Sequence, residues 1–227
     1  MALLESAYPV LVWLHVLLLV VWLGGDIGVF LLGQHFRRRH AYSLETRLVL
    51  LKLLVALDMG PRSAWALMVP SSIALLAAGG WWPGLDWKLP ALALGIGLFW
   101  LALVWVAHLN DQTPLAARCR QLEGVLRWGL AGFYLLLGLL SLRNGGPLPG
   151  FVAWKALLFG LIFVAAILID IAFRPVGPRL VALIRDGSSD ATEVPLRAAM
   201  DRTRIFVLAV YALLLVTSYV GVVKPGT

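Results

Sequence analysis

The side chains able to do chemistry in this chain are few, and two of them sit where they are costly. His15 and Asp26 both lie in LVWLHVLLLVVWLGGDIGVF, residues 11–30, a run apolar enough to cross a bilayer. Ionisable residues at such depths are rare, turn toward the protein interior and by default mark a functional site. A helix turns about 100° per residue, which brings Trp22 and Asp26 to within roughly 20° of His15, with Gly33 in line. One stripe therefore carries an imidazole in the outer half of the membrane and a carboxyl in the inner half. Neutral imidazole is a good ligand for iron; a hydrogen bond to a neighbouring helix is the simpler role for it.

A second span, FVAWKALLFGLIFVAAILIDIAF (151–173), adds Lys155 about one turn from its outer end, close to the depth of His15. Snorkelling to the headgroups competes with any site role for this lysine. Asp170 lies near the inner end of the same span, at a depth where Arg62 can pair either with it or with Asp58, as a structural ion pair. His35 and His40 flank three arginines and read as solvated interface residues. His108 ends the third span; it and His15 differ in depth by roughly 20 Å at 1.5 Å per residue, too far to hold opposite faces of one haem. If both ligate, there are two haems; otherwise His108 is a helix-end histidine beside the carbonyl dipole.

Soluble-type motifs are missing. The sequence has no phosphate loop, no HExxH, no CxxCH and no Ser-His-Asp elbow. Met1, Met59, Met68 and Met200 are too scattered for a copper cluster. Cys119 is the single cysteine, which excludes an internal disulfide. Flanked by Arg118 and Arg120, it reads as a reduced thiol in a cytoplasmic loop. A bundle with a buried imidazole and internal aromatics remains, the composition of b-type haem proteins.

The elements that must position these residues are membrane helices. Of 227 residues, 61% are hydrophobic and 14% charged, and the mean hydropathy is +0.88; soluble domains sit near ~45–50% and ~25%. Short-period alternation is absent, which argues against a β-barrel. The expected architecture is an all-α, polytopic integral membrane bundle with about six spans: 8–33, 62–80, 89–109, 122–142, 151–173 and 204–223. Glu5 precedes a first run too long for a signal peptide, so that run is read as a retained helix. Residues 44–61 are expected as an interfacial cytoplasmic helix or an extension of the second span, with Pro61 in the first turn of a new helix. Residues 174–203 are expected as a cytoplasmic loop in which GSSDATEVP marks a turn and a helix start. No separate soluble domain is discernible.

The arginines cluster in alternate loops, within 35–47, 115–121 and 174–204. The positive-inside rule then places both termini outside, in the periplasm of a bacterial inner-membrane protein. Three tryptophans in GGWWPGLDWK (79–88) fit an outer interfacial belt. The net charge of +7 is topogenic, with anionic membrane lipid as its natural partner and no nucleic acid implied.

WLHVLLLVVWLGG (13–25) resembles the first helix of the membrane-embedded protoporphyrinogen oxidase family and of copper-resistance D-type membrane proteins. A related pattern occurs in the membrane part of cytochrome-linked urate oxidases. The shared feature is His15, then Trp22 and Gly25. PRSAWALMVPSSIALLAAGGW (61–81) is similar to that group in Arg62, Pro70 and Gly79, the helix at 151–170 in Lys155, and YVGVVKP (219–225) in its ending. Trp154 stands where the oxidase family has a histidine, and the third and fourth spans look like an added hairpin. The resemblance implies haem b with His15 as an axial ligand and Lys155 as a site residue. Trp22 would then pack on the macrocycle. Lys155 would bind a propionate or supply a second axial ligand, with Tyr219 among the nearby outer aromatics. The function so implied is electron transfer or oxidoreductase chemistry, with a periplasmic redox partner or a quinone, in a homo-oligomer or larger complex. A copper or proton-coupled transporter, with His15, Asp26 and Lys155 lining its path, is the alternative, as is a non-catalytic accessory subunit.

Overall fold

A computed structural model describes residues 6–143 and 145–225; Met1 and Glu5 lie outside them. The described residues form seven helices and no strand: α1 (Tyr8–Phe36), α2 (Leu44–Ala78), α3 (Lys88–Leu109), α4 (Pro114–Leu142), α5 (Gly150–Phe173), α6 (Val176–Asp186) and α7 (Asp190–Val223). By length and composition α1, α3, α4, α5 together with α6, and α7 can each cross a membrane. The fold is thus the expected all-α bundle of a multi-pass membrane protein.

Successive long helices pack antiparallel. His15 meets Ser71, and further along Gly33 meets Leu54; Trp65 meets Trp100; Arg127 meets Asp170; Lys155 meets Gly221. Tyr211 on α7 returns to α1 by donating to the Asp26 carbonyl oxygen at 2.6 Å. The bundle therefore has a tryptophan-rich end, holding Tyr8, the 79–88 turn and Lys224, and an arginine-rich end, holding 37–43 and α6. Capping follows the sequence. Ser43 and Thr113 accept from the amides of Thr46 and Ala116, both at 3.2 Å, and Ser189 with Thr192 forms a capping box.

Residues 44–61 are the extension of the second span, in one 35-residue helix; Pro61 lies inside that helix instead of opening a new one, because its prolines are packing knobs and not breaks. A Cβ on Gly25 would lie 2.6 Å from Pro61 Cγ, and one on Gly97 would lie 2.7 Å from Pro70 Cγ, so each ring seats on a glycine of a flanking helix. Residues 174–203 are mostly helical where a loop is expected, although the turn and helix start expected at GSSDATEVP are present at 187–190. α6 turns Val176 and Leu183 inward against Phe36, Leu196 and Ala199, and Gly187 at φ +79° reverses the chain into α7. Lastly, α4 starts at Pro114, so Cys119 is buried in a helix with Leu103, Ala107 and Ala116, not set in a loop.

The centre of the bundle is aromatic. Trp22 stacks on Trp65 at 5.5 Å between ring centroids, Trp65 meets Trp100 at 4.9 Å and Phe163 at 5.0 Å, and Tyr134 meets Phe159 at 4.7 Å. In lipid, helix association rests on close van der Waals packing, which small residues permit. At Gly138 an added Cβ would come within 2.6 Å of the Leu157 backbone nitrogen. Gly138→Ala is therefore expected to destabilise the bundle by about 1–3 kcal/mol through overpacking. Gly132→Ala on the same helix, where a Cβ meets nothing within 4 Å, is expected to be neutral or slightly stabilising. Denaturation midpoints in detergent check both; equal midpoints would refute the close-approach account.

Candidate functional site

His15 sits two turns into α1, where the antiparallel crossing brings it to Ser71. Its Nδ1 lies 2.8 Å from Ser71 Oγ. The buried Ser71 hydroxyl also lies 3.0 Å from the Met68 carbonyl oxygen, to which it can donate; with its proton there, His15 Nδ1–H is the donor across the first contact. In that arrangement the proton is on Nδ1 and the Nε2 lone pair is free. A second hydrogen bond that orients the ring and sets its tautomer is what metal-ligating histidines use.

Lys155, in the second turn of α5, is close enough to His15 for their charges to interact. Its Nζ packs over Gly221 of α7, 2.5 Å from where a Cβ would stand. Lys224 adds a second positive charge near Lys155 and lies 5.3 Å over the Trp81 ring, which in turn packs edge-on to Phe151 at 5.0 Å. Among the described residues, Lys155 has no carboxylate within ion-pair distance. The result is a half-buried group in which an imidazole lies near a lysine that has no carboxylate partner among the described residues. An ammonium placed in this way can neutralise a carboxylate.

The other sequence candidates lie elsewhere. Trp22 is buried with its ring on Trp65 and Phe159, in the aromatic centre. Tyr219 is 61% exposed: two residues from Gly221 is about 200° around the helix, so it faces away from Lys155. His108 stands at the arginine-rich end of α3 against Trp105, 6.1 Å between centroids, far from His15 along the bundle. His35 bonds through Nδ1 to the Tyr42 hydroxyl at 2.9 Å, and His40 is exposed at the surface.

Asp26, Asp58, Arg62 and Asp170 form a second polar group toward the arginine-rich end. Arg62 Nε binds Asp58 Oδ2 at 2.5 Å, while Asp170 pairs with Arg127. Arg127 was not anticipated, nor was the buried Glu123, which accepts from Trp100 Nε1 at 3.2 Å. Their signal was in the sequence: an acid and a base four apart inside a span face the same side of a helix.

A third group was also missed. Arg47 and Glu193 are 1% and 0% exposed. Arg47 Nη1 and Nη2 bind the two Glu193 oxygens at 2.5 and 2.9 Å, and its Nε donates to the Phe36 carbonyl oxygen at 2.6 Å. Ser188 Oγ donates to Glu193 at 2.7 Å. Glu193 lies in the part of α7 outside the span. Burial pushes its carboxyl pKa up, but the hydrogen bonds from Arg47 and Ser188 and the charges of Arg47 and Arg39 outweigh that and hold it below the usual carboxylate value.

No three His, Cys, Asp or Glu side chains among the described residues come together as ligands for a bare ion. Compared with protein-family models, curated proteins and solved structures, the chain matches none.

Proposed function

We propose that this chain is a b-type haem protein of a bacterial inner membrane, with His15 as an axial ligand, serving electron transfer or a protoporphyrinogen-oxidase-like oxidation. The observation that carries the reading is the contact of His15 Nδ1 with Ser71, which orients the ring and leaves Nε2 as the nitrogen available to a ligand, beside Lys155, which has no carboxylate partner among the described residues. The donor set fits the group. Iron takes a neutral imidazole nitrogen, and a haem propionate is the kind of carboxylate that Lys155 lacks among the described residues. A bare copper ion would need more donors than gather here. The resemblance of His15, Trp22 and Lys155 to the oxidase and copper-resistance families points the same way.

Haem, when bound, supplies one-electron redox chemistry; the chain supplies the rest. Ser71 keeps the imidazole in its ligating tautomer, and Lys155 and Lys224 neutralise carboxylates at the tryptophan-rich end. The Trp22–Trp65–Phe159 packing forms the apolar floor of that end. With the termini outside, the redox partner is a periplasmic protein, or a quinone reached from the bilayer.

Protein purified from haem-replete cells is expected to show reduced-minus-oxidised b-type bands; a colourless preparation would count against the proposal. Lys155→Met is expected to weaken haem retention about 10–100-fold, the usual cost of losing an outer-sphere partner. Haem transfer to apomyoglobin measures it, and unchanged retention would remove Lys155 from the site.

A further inference from the structure

The haem reading leaves the arginine-rich half of the bundle without a task, although charge is concentrated there. Asp26 on α1, Asp58 and Arg62 on α2, Glu123 and Arg127 on α4 and Asp170 on α5 form one electrostatically connected group. Four carboxylates face two guanidinium groups, and both guanidinium groups are engaged. Arg62 holds Asp58 at 2.5 Å. Arg127 pairs with Asp170 and lies 3.7 Å from Glu123.

Asp26 is the odd one out. It is the one carboxylate of the four with no lysine or arginine within ion-pair distance among the described residues. It faces Trp22 on its own helix and Asp58 and Arg62 on α2. From α7 it faces Tyr211, whose hydroxyl is committed to the Asp26 backbone oxygen. An ionised Asp26 would lie beside a second carboxylate within a membrane bundle, where binding a proton costs less than sustaining the charge.

A separate observation points to a polar occupant nearby. Trp65 Nε1 and Arg127 Nε are buried donors with no acceptor; Trp65 is only 8% exposed, and the Arg127 guanidinium carbon stands 5.8 Å from its ring centre. Two orphan donors beside Glu123 call for an oxygen, and internal water is the usual one.

We infer that Asp26 is a reversible proton-binding site of the membrane interior, in a hydrated charge group that opens to the arginine-rich face. Access runs past the Asp58–Arg62 pair, whose side chains are 26% and 49% exposed. The step is a proton transfer alone: the carboxylate takes a proton from the aqueous phase and returns it, with no electron moved. The inference does not depend on what occupies the His15 site.

Infrared spectroscopy of the full chain in lipid nanodiscs, in H2O and D2O, tests it. The expected result is a protonated-carboxyl C=O band that shifts on deuteration and changes amplitude with pH. Asp26→Asn should abolish the band, Asp170→Asn should leave it, and Asp26→Glu should restore it at a shifted frequency. A wild-type spectrum with no exchangeable band at any pH where the chain is folded would overturn the inference. So would a band that survives Asp26→Asn, or an Asp26→Glu chain that folds but lacks it.

Discussion

Arg47→Ala is expected to cost about 3–5 kcal/mol, the price of leaving a buried carboxylate without its partner. The loss would be local to the arginine-rich end. Arg47 ties three segments together: its own first turn of α2, the last turn of α1 through the Phe36 carbonyl, and the start of α7 through both Glu193 oxygens. Without it Glu193 keeps the Ser188 hydroxyl and nothing else of opposite polarity within hydrogen-bond reach. Hydrogen exchange should rise together over residues 37–47 and 186–200, ahead of the spans. Glu193→Gln should do less harm, since it removes the charge and keeps the shape. Replacing both partners by apolar residues of similar volume should be close to neutral, because the desolvation penalty goes with the pair.

The pH dependence has a definite sign. The folded-state pKa of Glu193 lies below its ordinary value of 4.5, so the pair's stabilisation is fully present above that value and is lost as pH falls through the folded pKa. The stability gap between wild type and Glu193→Gln should hold steady at neutral pH and close in acid. A gap that persists in strong acid would place the origin of the stability outside this carboxylate.

His15→Ala is expected to abolish b-type haem, a loss of bound cofactor and not a shift in its spectrum. No other histidine can substitute: His108, His35 and His40 all lie at the arginine-rich end. Ser71→Ala is a finer probe. It removes the hydrogen-bond partner of His15 Nδ1 and leaves the ligand in place, so haem should be retained about 10–100-fold less tightly with the b-type spectrum intact. Loss of haem in Ser71→Ala equal to that in His15→Ala would mean the serine does more than orient the ring.

The fold was legible because membrane helices announce themselves by length and apolarity. The break expected at Pro61 is absent, since a proline in a span can equally be a helix start or an internal packing group. Pro61 and Pro70 lie inside α2, where bare glycines of α1 and α3 receive their rings, and that complementarity exists only between helices. The site was half legible. The stripe carrying His15 came from periodicity, and the pairing with Lys155 from depth. Ser71 was invisible, because a serine in a span has no signature until its partner is placed. Tyr219 was placed by depth alone, and its angle on α7 turns it outward. Arg47 and Glu193 escaped because they lie 146 residues apart in segments expected outside the bundle. Of the residues carrying the family resemblance, Gly25 and Pro70 prove to be packing contacts as well, so those two positions say as much about helix spacing as about chemistry.

The most direct test is a pyridine-haemochrome assay of the purified wild-type chain, which reports haem type and stoichiometry together. The account predicts b-type haem at one per chain, carried on His15. A chain that folds in detergent and yields no haemochrome from haem-replete cells would contradict it, as would a c-type or a-type spectrum.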